Sequence, residues 1–167
     1  MDFFQLQGAH AAIQKNFHRY YDPSRVSQAV RDSHKLRELG RGRHFSSRLF
    51  RTEDFDYVLS LAHRKFVTGA ELQRWFQAME RLRQCDHPLI PPLEWGQLDD
   101  LCYYVSPYCG EPFAGSRQDL DMLLEDLAKK LWDHGLYYDD YWQIRCLSGH
   151  PMVIDWSDLQ LTAMAIR

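Results

Sequence analysis

Gly135-Leu136-Tyr137-Tyr138-Asp139-Asp140-Tyr141-Trp142-Gln143, followed closely by Val153-Ile154-Asp155-Trp156-Ser157, is the part of the chain on which the reading of the fold turns. Just upstream, Leu120, Leu123, Leu124, Leu127 and Leu131 recur at helical spacing, the cleanest apolar stripe in the sequence. The stripe stops at His134-Gly135, where a glycine takes the position that closes a helix. Two adjacent carboxylates follow in an aromatic loop. Then come a short apolar run, a Gly149-His150-Pro151 turn, a second apolar run and an aspartate at its end. A loop acid and a strand-end acid joined by a tight hairpin can be brought to one spot. An unpaired carboxylate between apolar strand residues and Trp156 is costly, so Asp155 reads as a group kept for its chemistry.

Size and composition limit what surrounds that stretch. At 167 residues the chain suits one domain or two small lobes sharing one cleft. The net charge of −3 comes without a basic block, which argues against a nucleic-acid binder. No apolar run approaches the ~20 residues of a membrane span. The start, Met1-Asp2-Phe3-Phe4-Gln5, lacks the basic and apolar segments of an export signal. The expected location is therefore cytoplasmic, with injection as an effector left open. Cys85, Cys102, Cys109 and Cys146 form no CxxC pair and read as reduced, packed thiols rather than zinc ligands.

Working outward, residues 1–38 read as a polar helical extension. Asp22-Pro23 marks a helix start inside it, and Val26, Ala29, Val30 and Leu36 give a loose apolar face. Leu39-Gly40-Arg41-Gly42-Arg43 reads as a tight turn, with strands over 45–50 and 57–62 joined by a polar hairpin turn. A glycine-rich turn between paired strands can lay backbone N–H groups over phosphates. Thr68-Gly69-Ala70-Glu71 is a capping-box signature, and Leu72, Trp75, Phe76, Met79 and Leu82 carry an amphipathic helix after it. Asp86-His87-Pro88 through Pro91-Pro92 ends that helix. Residues 93–98 and 101–108 form a second hairpin, 109–115 a linker, and Ser116 with Asp119 the next helix cap. The twelve residues after Asp155 read as a short helix or tail. His87 reads as a hydrogen-bonded structural histidine and Ser60 as a small core residue.

The order of these elements resembles the protein-kinase-like superfamily, including its small-molecule and lipopolysaccharide-kinase branches, over roughly residues 38–158. The resemblance implies an α+β fold: a small bilobal kinase-like architecture with an antiparallel N-lobe sheet plus helix and a truncated helical C-lobe. The domains expected from it are an extension over 1–38, an N-lobe over 39–110 and a minimal C-lobe over 111–167. It further implies ATP and Mg²⁺ as cofactors. Gly40 and Gly42 would form the phosphate loop, and the segment 105–111 a hinge that places Tyr108 against the nucleotide. Asp140, with Asp139 as second candidate, would orient the attacking hydroxyl and accept its proton. Asp155 would hold the metal, with Gln143 supplying an amide oxygen. The two acids would meet beneath the glycine turn.

Two departures accompany the resemblance. The position of the strand lysine holds Ser60, which carries no positive charge. Arg64 lies on the same face by strand alternation and Lys65 beside it, so a displaced cation is one alternative. The family's second metal ligand is an Asn about five residues after the loop Asp, and Arg145 stands there. Two functional expectations follow: an ATP/Mg²⁺-dependent phosphotransferase with an unidentified acceptor, or a catalytically impaired pseudokinase that recruits a protein partner.

Overall fold

The computed structural model describes residues 2–63 and 69–165. Contacts between residues divide the chain into two compact units, one of residues 1–67 with 91–108, the other of 68–90 with 109–167. This grouping differs from divisions at 38/39 and 110/111: the N-terminal helices join the sheet, and the helix over 69–83, which the chain forms between the third and fourth strands, joins the second unit.

In the first unit, α1 (Phe3–Tyr20) starts at Asp2, whose side chain accepts from the Phe4 N–H, and α2 (Pro23–Arg31) at Asp22, which accepts from Ser24. Capping of this kind satisfies donors that no helical carbonyl can reach. Leu6, Ile13 and Phe17 bury one side of α1, and Val26, Ala29 and Val30 one side of α2. A single turn of 3₁₀ helix (Ser33–Lys35) leads into the strands β1 (Arg37–Arg41), β2 (Phe45–Arg51) and β3 (Asp56–Ala62), then β4 (Glu94–Leu98) and β5 (Leu101–Pro107). They form one sheet in the order β1-β2-β3-β5-β4, with every neighbouring pair antiparallel.

Strand alternation splits the sheet into two sets of side chains. One set, Tyr57, Leu59, Leu61 and Val105, forms a core with Phe17, Val26, Ala29 and Val30. Phe17 sits edge-on to Tyr57, ring centroids 5.6 Å apart. The other set includes the buried residues Phe45, Leu49, Ser60, Ala62, Cys102 and Tyr104.

The helical reading of residues 1–38 is corrected at its end. The helix stops at Arg31, and β1 takes Gly40 into a strand opposite Ser47, beside an irregularity between Glu38 and Gly40. Leu36 packs against the core from the residue just before β1 rather than from a helix face.

In the second unit, α3 (Gly69–Arg83) buries Leu72, Trp75, Ala78, Met79 and Leu82. The Thr68 of its cap signature lies outside the described residues. α4 (Arg117–Asp133) begins at Ser116, which accepts from the Asp119 N–H at 3.3 Å. It ends before Gly135, whose φ of +73° is the left-handed conformation glycine adopts freely. A Cβ there would lie 2.5 Å from an Arg81 guanidinium nitrogen, and Arg81 itself donates to the His134 carbonyl.

The chain then enters β6 (Leu136–Tyr138), which pairs with β9 (Leu159–Leu161), and between them lies the hairpin of β7 (Ile144–Leu147) and β8 (His150–Val153). The expectation of a helix or tail after Asp155 is thus corrected: Leu159-Gln160-Leu161 is a strand, buried at both leucines. Two histidines lock the 87–90 segment in place. His87 accepts at Nδ1 from the Leu89 N–H, so its Nε2 carries the proton and faces an Asp126 carboxylate oxygen at 3.2 Å. The His150 Nε2 lies 2.7 Å from the Pro88 carbonyl, and Val153 donates to the Leu89 carbonyl.

Candidate functional site

The candidate residues fall into two sets, one in each unit. In the second unit the short pairing of β6 with β9 leads the chain into the acidic loop. Asp139 donates its N–H to the Asp158 carbonyl, and Ile154 donates to the Gln143 carbonyl. The Tyr138 hydroxyl donates to the backbone carbonyl of Asp155 at 2.6 Å, and the Gln143 amide lies 3.4 Å from an Asp155 carboxylate oxygen. The loop that carries Asp139 and Asp140 is therefore fixed at both ends to the segment that carries Asp155.

Aromatic packing stiffens the same arrangement. Tyr138 stacks on Trp142 with ring centroids 4.5 Å apart at 13°, and meets Trp156 edge-on at 6.0 Å. Trp156 is fully buried, donates its indole N–H to the Val153 carbonyl, and its own carbonyl accepts from the Trp75 indole.

The three acids differ in their engagement. Asp155 is partly buried, and its Oδ1 accepts from both the N–H and the hydroxyl of Ser157, at 3.0 and 2.6 Å. Among the described residues its Oδ2 has only the long contact to Gln143. Asp140 is exposed and accepts from the N–H of Tyr141 at 2.7 Å. Asp139 is exposed and is held through its backbone.

No three His, Cys, Asp or Glu side chains among the described residues gather into a metal cage. Mg²⁺ needs no such cage, since it is typically held by one or two carboxylates with phosphates and water. The Gln143 amide nitrogen donates to the Asp155 Oδ2, and if the amide turned, that Oδ2 and the Gln143 oxygen would make a hard-oxygen donor pair of that kind. The residues on this side fit the ion. Arg145, at the position where the resemblance implies an Asn, is exposed and supplies no oxygen.

In the first unit the picture is different. Ser60 is 1% exposed, and its hydroxyl lies 3.1 Å from that of Ser47 across β2. The turn after β1 closes on itself: the Gly42 N–H donates to the Phe45 carbonyl, and the Gly42 carbonyl lies 3.1 Å from the His63 ring. Gly40 and Gly42 do not use the left-handed region, and a Cβ at Gly40 would meet nothing within 4 Å. The Tyr108 N–H donates to the Asp56 carbonyl. Arg64, the candidate displaced cation, lies outside the described residues, as does Lys65. The Gly42 N–H expected over phosphates, the Ser60 hydroxyl at the lysine position and the Tyr108 N–H expected at the hinge are thus committed within their own unit.

No cysteine competes as a nucleophile. Burial pushes the Cys102 and Cys109 thiols up to about 12 and raises Cys85 and Cys146 as well, so all four remain protonated near neutrality. The contribution of Tyr138 was absent from the sequence reading. A tyrosine directly before an acidic pair gives no periodic signal, and its role depends on Asp155 returning to it through the hairpin.

No family model matches the sequence, and no curated protein matches it. Among solved structures the chain is similar to a single-residue mutant of the kinase domain of Mycobacterium tuberculosis PknI, with a TM-score of 0.53 and 17% identity. The match covers 72% of this chain and 57% of that domain, so this chain spans little more than half of it. Among the described residues no helix is long and apolar enough to cross a membrane. With the β1-β2-β3-β5-β4 antiparallel sheet and four helices, the likeness assigns the chain an α+β, protein-kinase-like fold.

Proposed function

We propose that this chain is a kinase-like phosphotransferase that takes Mg²⁺–ATP at Asp155 and presents an acceptor hydroxyl to Asp140. The observation that carries the reading is the double attachment of the acidic loop to Asp155, through Tyr138 at one end and Gln143 at the other. Phosphoryl transfer is mainly a matter of positioning and charge stabilisation, and a loop held at both ends keeps a base in place without needing other help. Bound Mg²⁺–nucleotide would supply the transferable phosphoryl group and neutralise its charge. Within this chain, Asp155 and Gln143 would offer oxygens to the ion, and Asp140 would orient the hydroxyl and accept its proton. Asp139 stands behind Asp140 as the alternative base.

A second reading, a pseudokinase acting as a protein-interaction module, is favoured by the buried Ser60–Ser47 pair and by the self-closed turn at Gly42. No described cation stands at the strand position, and donors there are already used.

Thermal unfolding with and without Mg²⁺–ATP separates the two. Nucleotide at 100 times its dissociation constant adds about 2.7 kcal/mol, a rise of roughly 5–10 °C for a chain of this size. Under the first reading the shift appears and Asp155→Asn removes its Mg²⁺ dependence. Labelled ATP then transfers phosphate with the wild type and not with Asp140→Ala. No shift at millimolar nucleotide overturns the first reading and leaves the second. A shift with equal labelling by wild type and Asp140→Ala rejects the proposed base.

A further inference from the structure

The second unit carries an open groove of about 860 Å³ between the N-terminal half of α4 and the chain from Tyr141 to Arg145, with residues 112–115 at one end. Its apolar lining comes from Phe113, Leu120, Leu124 and Trp142, and Tyr141 beside it is 90% exposed. The Trp142 ring is a fixed platform, because Tyr138 stacks flat against it and is itself tied to Asp155.

The charges on the groove decide what it suits. Arg117 and Asp121 pair with each other at 3.0 Å and cancel. Glu125 on α4 and Arg145 on β7 remain. Both are exposed and both line the groove, and among the described residues neither side chain has a hydrogen bond or ion pair, even with the other. Two opposite, unneutralised charges therefore flank one apolar floor without closing over it.

We infer that this groove is a docking site for a short peptide segment of a partner protein, with an apolar or aromatic anchor on Trp142, an acidic residue facing Arg145 and a basic residue facing Glu125. A ligand of one charge would satisfy one wall and be repelled by the other. A peptide carries both signs and an apolar residue at the required spacing, and an open groove of this size accepts several residues of it. Aromatic anchors seated on a rigid platform supply most of the affinity of such contacts, while flanking charges set orientation and partner choice. The inference stands independently of nucleotide binding, because every residue in it lies outside the Asp155 contacts except through the Tyr138–Trp142 stack.

The test uses the whole chain without nucleotide. A random decapeptide library is selected against the immobilised wild type, and the strongest sequences are resynthesised and titrated. Selected peptides should contain an apolar residue with an acidic residue on one side and a basic residue on the other. Trp142→Ala should weaken them by about tenfold or more. The exchange Glu125→Arg with Arg145→Glu, at two exposed positions, keeps the fold and should select peptides with the acidic and basic sides reversed. An empty selection overturns the proposal. So do peptides whose affinity is indifferent to both Trp142→Ala and the charge exchange. Loss of Mg²⁺–ATP binding would leave it untouched.

Discussion

Ser60 in β3 and Asp155 after β8 are the two positions at which a kinase-like protein would place opposite charges, and here they have been treated in opposite ways. Ser60 is sealed: it is almost fully buried, hydrogen-bonded to Ser47 and paired in register with Tyr104. Asp155 is open: one carboxylate oxygen is held by Ser157 while the other has a single long contact. The contrast is that the Ser60 side chain is committed to packing, whereas Asp155 keeps one carboxylate oxygen with a single long contact among the described residues. The phosphotransferase reading then needs a positive charge from a source other than β3, and the pseudokinase reading needs a reason for the acidic loop to remain so firmly tied.

The sharpest way to break the contrast is Ser60→Lys. If the site is sealed, an ammonium group cannot ionise there without a partner, and the longer side chain overpacks the sheet. The expected loss is about 3 kcal/mol or more, read from the urea midpoint. A variant as stable as the wild type, with tighter nucleotide binding, would show that the position still opens to a phosphate. Tyr138→Phe probes the other side at smaller scale. It removes one hydrogen bond to the Asp155 carbonyl and leaves that carbonyl partly unsatisfied, at a cost of about 1–2 kcal/mol, and any Mg²⁺-dependent shift should weaken with it. An unchanged urea midpoint would mean that the loop is held elsewhere. Asp155→Asn has the smallest expected effect on stability, within about 1 kcal/mol, because its amide oxygen can still accept from Ser157. A large loss would make Asp155 a structural acid and remove the contrast.

The sequence disclosed those parts of the fold whose residues repeat. The leucines of α4, the apolar face of α3 and the two hairpins β2–β3 and β4–β5 stand where the periodicities put them. Strand β1 was not legible because it is an edge strand with almost no buried side chain, so nothing alternates along Arg37–Arg41. Strand β9 was too short for a period to show, and its pairing with β6 is fixed only by the folded chain. The helices α1 and α2 were legible as helices, but the spacing of Leu6, Ile13 and Phe17 marks only a buried face of α1 and does not say that Phe17 packs on the sheet. Of the candidate site, the acids could be read directly. The contact of Gln143 with Asp155 required knowing that the loop is short enough for the amide to turn back. The groove could not be read at all, since α4 and the β7 strand that form its walls are separated in sequence.

The pairing of β6 with β9 brings the chain back, at Leu161, to where it stood at Leu136. Both acids, the hairpin between them and the tryptophan platform lie within that closed circuit. Such a stretch behaves as a cassette: melting its three-residue clasp would free Asp140, Asp155 and one wall of the groove in a single event.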